Sequence, residues 1–352
     1  MSGKVVMRRL VIIGDHFMRS DMFETAIRQK CPKADLEIIR HDLDWPDQPM
    51  EHGYAEAGIA GLKEYMGSEE ATVALIDGAE ILVTHLAPLS ASIMDRCPSL
   101  KFVAVSRGGP VNIDMQAARQ RGIIVVNTPG RNASAVAEFT IGAILAETRL
   151  ITRGHDALRR GVWRGDLYRA DRTGEELSEM TVGVIGYGEI GTRVVRLLKV
   201  FGCRILVADP YIQISGSDRA DGVEQVSLEK LLAASDVVTL HPRVTKETEK
   251  LINAGTLAQM KPSAILINTA RGPLVDYDAL YDALRDKRIR SAMLETFAVE
   301  PTPSDSPLLK LENVTLTPHI AGASVKTITY AAGLAADEVR RYLAGEPPVN
   351  RC

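Results

Sequence analysis

Three residues late in the chain are of types that move protons and grip anions. They are Arg271 in Asn268-Thr269-Ala270-Arg271-Gly272, Glu300 in Glu295-Thr296-Phe297-Ala298-Val299-Glu300-Pro301, and His319 in Thr317-Pro318-His319-Ile320. An imidazole exchanges protons near neutral pH, so His319 can give or take the proton of a hydroxyl. A carboxylate bonded to that ring, as Glu300 can be, fixes its orientation. The planar fork of Arg271 can hold a carboxylate or keto oxygen and polarise a carbonyl. Singly, each has a plainer reading: a loop histidine satisfied by backbone, a surface arginine, a glutamate that opens a turn. What unites them is position. Each follows a short apolar run that reads as a β-strand, and open parallel sheets bind ligands beyond the carboxyl ends of their strands.

The elements that must position them alternate along the chain. Strands are expected at Leu10–Ile13, Leu36–Ile39, Ile81–Thr84, Phe102–Val105 and Ile123–Val126. A second series follows at Thr181–Ile185, Arg204–Ala208, Val237–Leu240, Ala264–Ile267, Ser291–Leu294 and Val314–Leu316. Such uninterrupted runs suit strands buried on both faces, as in parallel sheets covered by helices. Segments such as Met115–Arg121 and Ile190–Phe201 have helical spacing. Two series imply an α/β fold of two doubly wound, Rossmann-like units. One long helix, roughly Ser134–Trp163, is expected between them. A terminal helix, Val325–Leu343, has no strand after it and must bury its apolar face, which is most simply done on the first unit. The expected domains are therefore residues 1–129 with 321–352, discontinuous, and residues 130–320.

The second unit opens with the strand–turn–helix Thr181-Val-Gly-Val-Ile-Gly186-Tyr187-Gly188-Glu189-Ile190-Gly191. In this G-x-G-x-x-G pattern the first glycine permits the tight turn, the second lets backbone approach a pyrophosphate, and the third lets helix and strand pack closely. The helix start aims unpaired N–H groups at the phosphates, which makes Tyr187, Gly188, Glu189 and Ile190 candidate cofactor contacts. Asp209 ends the next strand about 20 residues on, where a carboxylate accepts the adenosine ribose hydroxyls and repels a 2′-phosphate. The pattern predicts NAD as the cofactor, and hydride transfer as the chemistry served by Arg271, Glu300 and His319.

Composition excludes several classes. The 352-residue chain carries a net charge of −3, so nothing draws it in bulk to nucleic acid or anionic membrane. Arg8 and Arg9 interrupt the apolar start Val5-Val6-Met7, and no run is long enough for a membrane helix. The four cysteines form no C-x-x-C pair, against a disulfide framework or a zinc site and for a reducing, cytoplasmic compartment. No metal is expected.

The order GYGEIG, INTARGPLVD, LETFAVEP, LTPHIAG resembles the D-isomer-specific 2-hydroxyacid dehydrogenases, in the branch similar to phosphoglycerate dehydrogenase. Asn127-Thr128-Pro129-Gly130, Asn132 and Val136-Ala137-Glu138 resemble that family's crossing into the cofactor domain. The resemblance covers nearly the whole chain and is weakest before about residue 70. It implies Arg271 as the substrate-carboxylate arginine and Glu300 with His319 as the acid/base pair. By the same positions His241, Pro242, Thr269, Ala270, Glu295 and Ala321 join Arg271 and His319 around the cofactor. It further implies hinges near Thr128–Gly130 and Pro318–Gly322, and a homodimer whose interface includes Ser134–Trp163.

Several stretches depart from the family's pattern. The loop Ser106-Arg107-Gly108-Gly109-Pro110-Val111-Asn112-Ile113-Asp114 is shortened, and Pro110 has no N–H to offer a carboxylate, which leaves Gly108 and Gly109 as donors. Thr84-His85-Leu86-Ala87 stands where phosphoglycerate-specific relatives often place an arginine; His85 either touches substrate or faces water from a loop. Glu295-Thr296-Phe297 replaces a usual D-V-F, and His241-Pro242-Arg243-Val244-Thr245 a usual H-x-P-L-T. Gly165–Arg172 is a polar stretch that either lines the substrate cleft or is a solvated loop. The expectation is an NAD-dependent enzyme interconverting a small D-2-hydroxy acid and its 2-keto acid. The alternatives are an NADH-responsive corepressor-like binding protein and a related enzyme acting on phosphite or formate.

Overall fold

The computed structural model describes residues 7–44, 59 and 61–352, so Val5 and Val6 lie outside the described residues. Two compact units emerge: the chain up to Arg131 together with Ser324–Cys352, and Asn132–Ala323. Both boundaries fall slightly C-terminal to those expected from the sequence.

The first unit is a five-stranded sheet of β1 (Arg8–Asp15), β2 (Leu36–Leu43), β3 (Ile81–Thr84), β4 (Phe102–Val105) and β5 (Ile124–Val126), ordered β2-β1-β3-β4-β5 with every named pair parallel. Strands β3 and β4 are buried at every position, which is why their sequences do not alternate. Val11, Ile13, Leu82, Val103 and Val125 pack on one face, and Leu10, Ile12, Ile81, Val83 and Phe102 on the other. Burying each such side chain contributes about 1.5–3 kcal/mol. The helix Val325–Leu343 closes the second face. Its buried stripe, Ala331, Ala332, Ala335, Ala336 and Val339, is small enough for close approach, and Tyr342 stacks on Phe102 with ring centroids 4.6 Å apart. Beyond it, Glu338 accepts the N–H groups of Val349 and Asn350, and Cys352 N donates to Val125 O at 3.0 Å.

The second unit is a seven-stranded sheet of β6 (Thr181–Ile185), β7 (Arg204–Ala208), β8 (Glu224–Gln225), β9 (Val237–Leu240), β10 (Ile265–Asn268), β11 (Ser291–Leu294) and β12 (Val314–Leu316). The order β12-β11-β10-β9-β6-β7-β8 reverses at β6, a switch point of the kind that binds dinucleotides. Strand β8, absent from the expected series, is a two-residue edge strand too short to show a pattern.

The expected long helix is two. Ala133–Thr148 and Ile151–Arg159 are separated at Leu150, whose φ is +57°, and Gly161 at +77° follows the second. Propensity within Ser134–Trp163 favoured continuity; tertiary contacts override it. Across the break, Arg153 Nη2 reaches back to Glu147 Oε2 at 2.9 Å. The same fully buried carboxylate accepts Ser291 Oγ at 2.6 Å and the hydroxyl of Thr315, tying the break to β11 and β12. A Cβ on Gly174 would collide with Thr148 O, so the returning loop also presses on the break.

Candidate active site

Along the carboxyl edge of the second sheet the strands deliver, in spatial order, Asp209 after β7, the glycine turn after β6, His241 after β9, Arg271 after β10, Glu295 after β11 and His319 after β12. One edge therefore carries Asp209, His241, Arg271, Glu295 and His319 together.

Each glycine of the turn has its own steric reason. Gly186 has φ +89°, and a Cβ there would lie 2.8 Å from His241 C and Pro242 N. A Cβ on Gly191 would collide with Gly186 O, so this glycine lets the helix Gly191–Leu198 start against the strand. Nothing lies within 4 Å of a Cβ on Gly188, the open side of the turn. Among the described residues no backbone acceptor takes the N–H of Gly188, Glu189 or Ile190. This open cradle of N–H groups fits a dinucleotide pyrophosphate.

Tyr187 is placed otherwise than expected. Its N–H donates to Asp209 Oδ2 at 2.8 Å, and its buried hydroxyl donates to Asp218, which Lys199 also pairs. Neither group is turned to a ligand; the residue braces the turn from beneath. Asp209 is likewise built in: Oδ1 accepts Tyr211 N and Ile212 N, both at 2.8 Å. Three backbone donors fix a carboxylate with about four acceptor positions, which leaves capacity for a ribose hydroxyl.

His241 Nε2 lies 3.0 Å from Thr239 Oγ1. Burial pushes its pKa down to about 3, so the ring is neutral, and Nδ1 is buried with no partner among the described residues. After β10, Thr269 Oγ1 is bonded to Thr140 Oγ1 at 2.8 Å, and the N–H of Ala270 goes to Asn268 Oδ1 at 3.1 Å. The hydroxyl of Thr269 and the N–H of Ala270 thus shape the loop. Asn268, to which sequence alone gives no role, also donates to Arg271 O at 3.1 Å and so braces this loop. Arg271 itself is exposed at the strand end. Gly272 follows because a Cβ there would collide with the backbone of Phe297, where the β10 and β11 loops press together.

The β11 and β12 loops meet at the acid/base pair. His319 Nδ1 lies 2.8 Å from Glu300 Oε2, while Glu300 Oε1 accepts Phe297 N at 2.8 Å. The carboxylate is thereby fixed by its own loop, and Nδ1 is the ring's donor atom. His319 has φ +53°, a left-handed conformation uncommon outside glycine though asparagine, aspartate and histidine adopt it more than other residues. Glu295, which the resemblance places around the cofactor, has protein partners of its own. It is wholly buried, and its carboxylate accepts the hydroxyl of Thr317 and the N–H of Ala321, so Ala321 is bonded to Glu295.

The first unit, taken by itself, holds the substrate candidates. Gly108 and Gly109 are exposed, nothing lies within 4 Å of a Cβ on either, and no described acceptor takes their N–H groups. Asn127 Nδ2 donates to Gly108 O at 2.7 Å and steadies the loop. His85 does not face water, one of its two expected readings. It is buried, with Nδ1 2.6 Å from Asp15 Oδ2 and Nε2 3.4 Å from Arg131 Nη2. Burial lowers its pKa against the opposing pull of Asp15. The stretch Gly165–Arg172 is a web of ion pairs in which Asp166 sits between Arg164 and Arg172, their guanidinium bonds holding its carboxyl down to about 2. Among the described residues no helix is long and apolar enough to cross a membrane.

Comparison with known proteins agrees with this architecture. The family model for the NAD-binding domain of D-isomer specific 2-hydroxyacid dehydrogenases matches residues 141–321. A glyoxylate reductase of Korarchaeum cryptofilum is 39% identical over 284 residues, 80% of this chain and 85% of that protein. A D-3-phosphoglycerate dehydrogenase of Methanocaldococcus jannaschii is 38% identical over 84% of this chain and 55% of its own length. Among solved structures, a D-lactate dehydrogenase of Treponema pallidum matches with a TM-score of 0.79 and 25% identity, covering 98% of this chain and 99% of that one.

Proposed function

The chain belongs to the D-isomer specific 2-hydroxyacid dehydrogenase family and is an NAD-dependent oxidoreductase; from this premise we propose that it interconverts a small D-2-hydroxy acid and its 2-keto acid through Arg271, Glu300 and His319. The observation that carries the reading is the 2.8 Å bond between His319 and Glu300, on the sheet edge that also bears the open glycine turn.

Gly188, Glu189 and Ile190 would hold the pyrophosphate and Asp209 the adenosine ribose. NAD, when bound, accepts hydride in oxidation and, as NADH, donates it in reduction. With Nδ1–H directed at Glu300, proton exchange falls to Nε2 of His319. In reduction the imidazolium Nε2 protonates the carbonyl oxygen; in oxidation the neutral Nε2 takes the hydroxyl proton. Glu300 holds the ring in place and offsets the charge it acquires. Arg271 grips the carboxylate of the substrate with its planar fork. In the first unit, the N–H groups of Gly108 and Gly109 are assigned to substrate, and His85 supports their neighbourhood from within. A neutral, buried His85 offers no fixed charge to a phosphate, which favours an unphosphorylated acid. No observation favours the corepressor or phosphite and formate alternatives. The test is His319→Ala, which abolishes turnover while the NADH dissociation constant stays within about twofold. Unchanged turnover overturns the mechanism. A panel of 2-keto acids with and without phosphate, followed by NADH absorbance, identifies the substrate.

The protein is further assigned as a homodimer. Ile151, Leu158, Trp163 and Tyr168 are exposed, the last two to 82% and 94%, beside a groove of about 500 Å³. Exposed aromatic side chains gathered on one face mark an interaction surface. Sedimentation velocity tests this; a monomer at micromolar concentration overturns it. Four free cysteines support a reducing, cytoplasmic location, which cell fractionation checks.

A further inference from the structure

Glu295 lies at the end of β11, directly beside the segment that carries His319. In the parallel pair β11–β12, Leu294 stands opposite Leu316, so Glu295 runs alongside Thr317. Three bonds cross from this one residue to the neighbouring loop. Its main-chain oxygen accepts His319 N at 3.1 Å, one carboxylate oxygen accepts the hydroxyl of Thr317, and the other accepts Ala321 N–H. Thr317 and Ala321 flank His319 symmetrically in sequence. The residue between them has φ +53°, in the left-handed region that few non-glycine residues occupy. Glu295 is wholly buried, and each of its carboxylate oxygens has a protein donor.

We propose that Glu295 is a positioning residue: its buried carboxylate clamps both ends of the segment 317–321 and so fixes the left-handed backbone that presents His319 to Glu300. The proposal rests on the acid/base role assigned to His319. Glu300 holds the ring at Nδ1, while Glu295 holds the main chain from which the ring projects. Two carboxylates from one loop thus fix a single histidine at two levels. Burial pushes the Glu295 carboxyl upward, and Thr317 and Ala321 oppose that push by bonding to the ionised form.

The experiment compares Glu295→Gln, Glu295→Ala and Thr317→Val. Glutamine keeps an oxygen for Ala321 N–H, and its amide can donate to Thr317 Oγ, so the clamp keeps its shape. Glu295→Gln is expected to retain kcat within about threefold, whereas Glu295→Ala loses on the order of 100-fold, because a misplaced reacting group costs about that much. KM for the keto acid and the NADH dissociation constant, from fluorescence titration, stay within about twofold in both. Thr317→Val removes one arm of the clamp and falls between them, which keeps the comparison open where Glu295→Ala does not fold. Amide hydrogen exchange supplies a readout independent of turnover: His319 and Ala321 exchange faster in Glu295→Ala and Thr317→Val, but not in Glu295→Gln. Weakened NADH binding with kcat retained at saturating cofactor shows a cofactor contact and overturns the proposal. A Glu295→Gln variant as damaged as Glu295→Ala overturns it too, as does unaltered exchange at 317–321. If instead His319→Ala keeps turnover while exchange follows this pattern, the acid/base reading fails and the clamp stands.

Discussion

Replacing Glu300 by glutamine isolates the charge that orients His319. In the native chain Oε1 accepts Phe297 N and Oε2 faces His319 Nδ1, both at 2.8 Å. Glutamine has one acceptor oxygen and one donor NH2 to offer these two donors. With its oxygen on Phe297 N–H, the NH2 meets the ring and forces the proton onto Nε2. In the flipped orientation the NH2 opposes Phe297 N–H and leaves it unpaired. Either way a hydrogen bond to a charged group is lost, worth about 1.5–3 kcal/mol, or roughly 10- to 150-fold in kcat/KM. With cofactor binding unchanged, kcat/KM falls by the same factor in oxidation and in reduction, because the overall equilibrium constant is fixed. Steady-state rates in both directions by NADH absorbance, with an NADH titration as control, decide the matter. A loss below about threefold in both directions refutes the assignment of Glu300.

Two further outcomes follow from buried groups. His241 has its pKa depressed to about 3 by burial, so below its ordinary value near 6.5 the unfolded chain binds a proton that the folded chain refuses. Its stabilising contribution is complete above pH 6.5 and is lost as pH falls, by about 1.4 kcal/mol per unit or about 2 kcal/mol by pH 5. Urea unfolding of His241→Asn without cofactor is expected to lack this increment; an identical pH dependence overturns the claim. Glu147→Ala leaves Arg153, Ser291 and Thr315 without their buried acceptor, and is expected to lower unfolding free energy by about 3–5 kcal/mol. Glu147→Gln loses less, and a denaturation midpoint unmoved by Glu147→Ala overturns the role of the bracket.

The parts legible in the sequence were those that depend on local pattern. Strands such as Ile81–Thr84 and Val237–Leu240 are apolar at nearly every position because both faces are covered, and the structure places them at those limits. The glycine turn and Asp209 could be read because spacing alone brings them together across one strand–helix–strand unit. Roles set by a distant partner could not be read. Nothing in Gly186-Tyr187-Gly188 says that the tyrosine will donate to Asp218, and nothing near Thr84-His85 says that the ring will rest on Asp15. The bonds of Glu295 to Thr317 and Ala321 were hidden for the same reason: only the fold of β12 brings those partners to its oxygens. The break at Leu150 followed from Glu147, a charged residue whose burial the helical pattern did not announce.

Asp209 carries a consequence for how cofactor preference can be altered. Its two oxygens draw together the N–H groups of Tyr187, Tyr211 and Ile212, so the anion that turns away a 2′-phosphate is also the knot joining two loops. Removing the charge unties the knot and exposes three amide donors at the position where that phosphate belongs. Selectivity and scaffold are here one set of atoms, so neither drift nor design can retune the first without rebuilding the second.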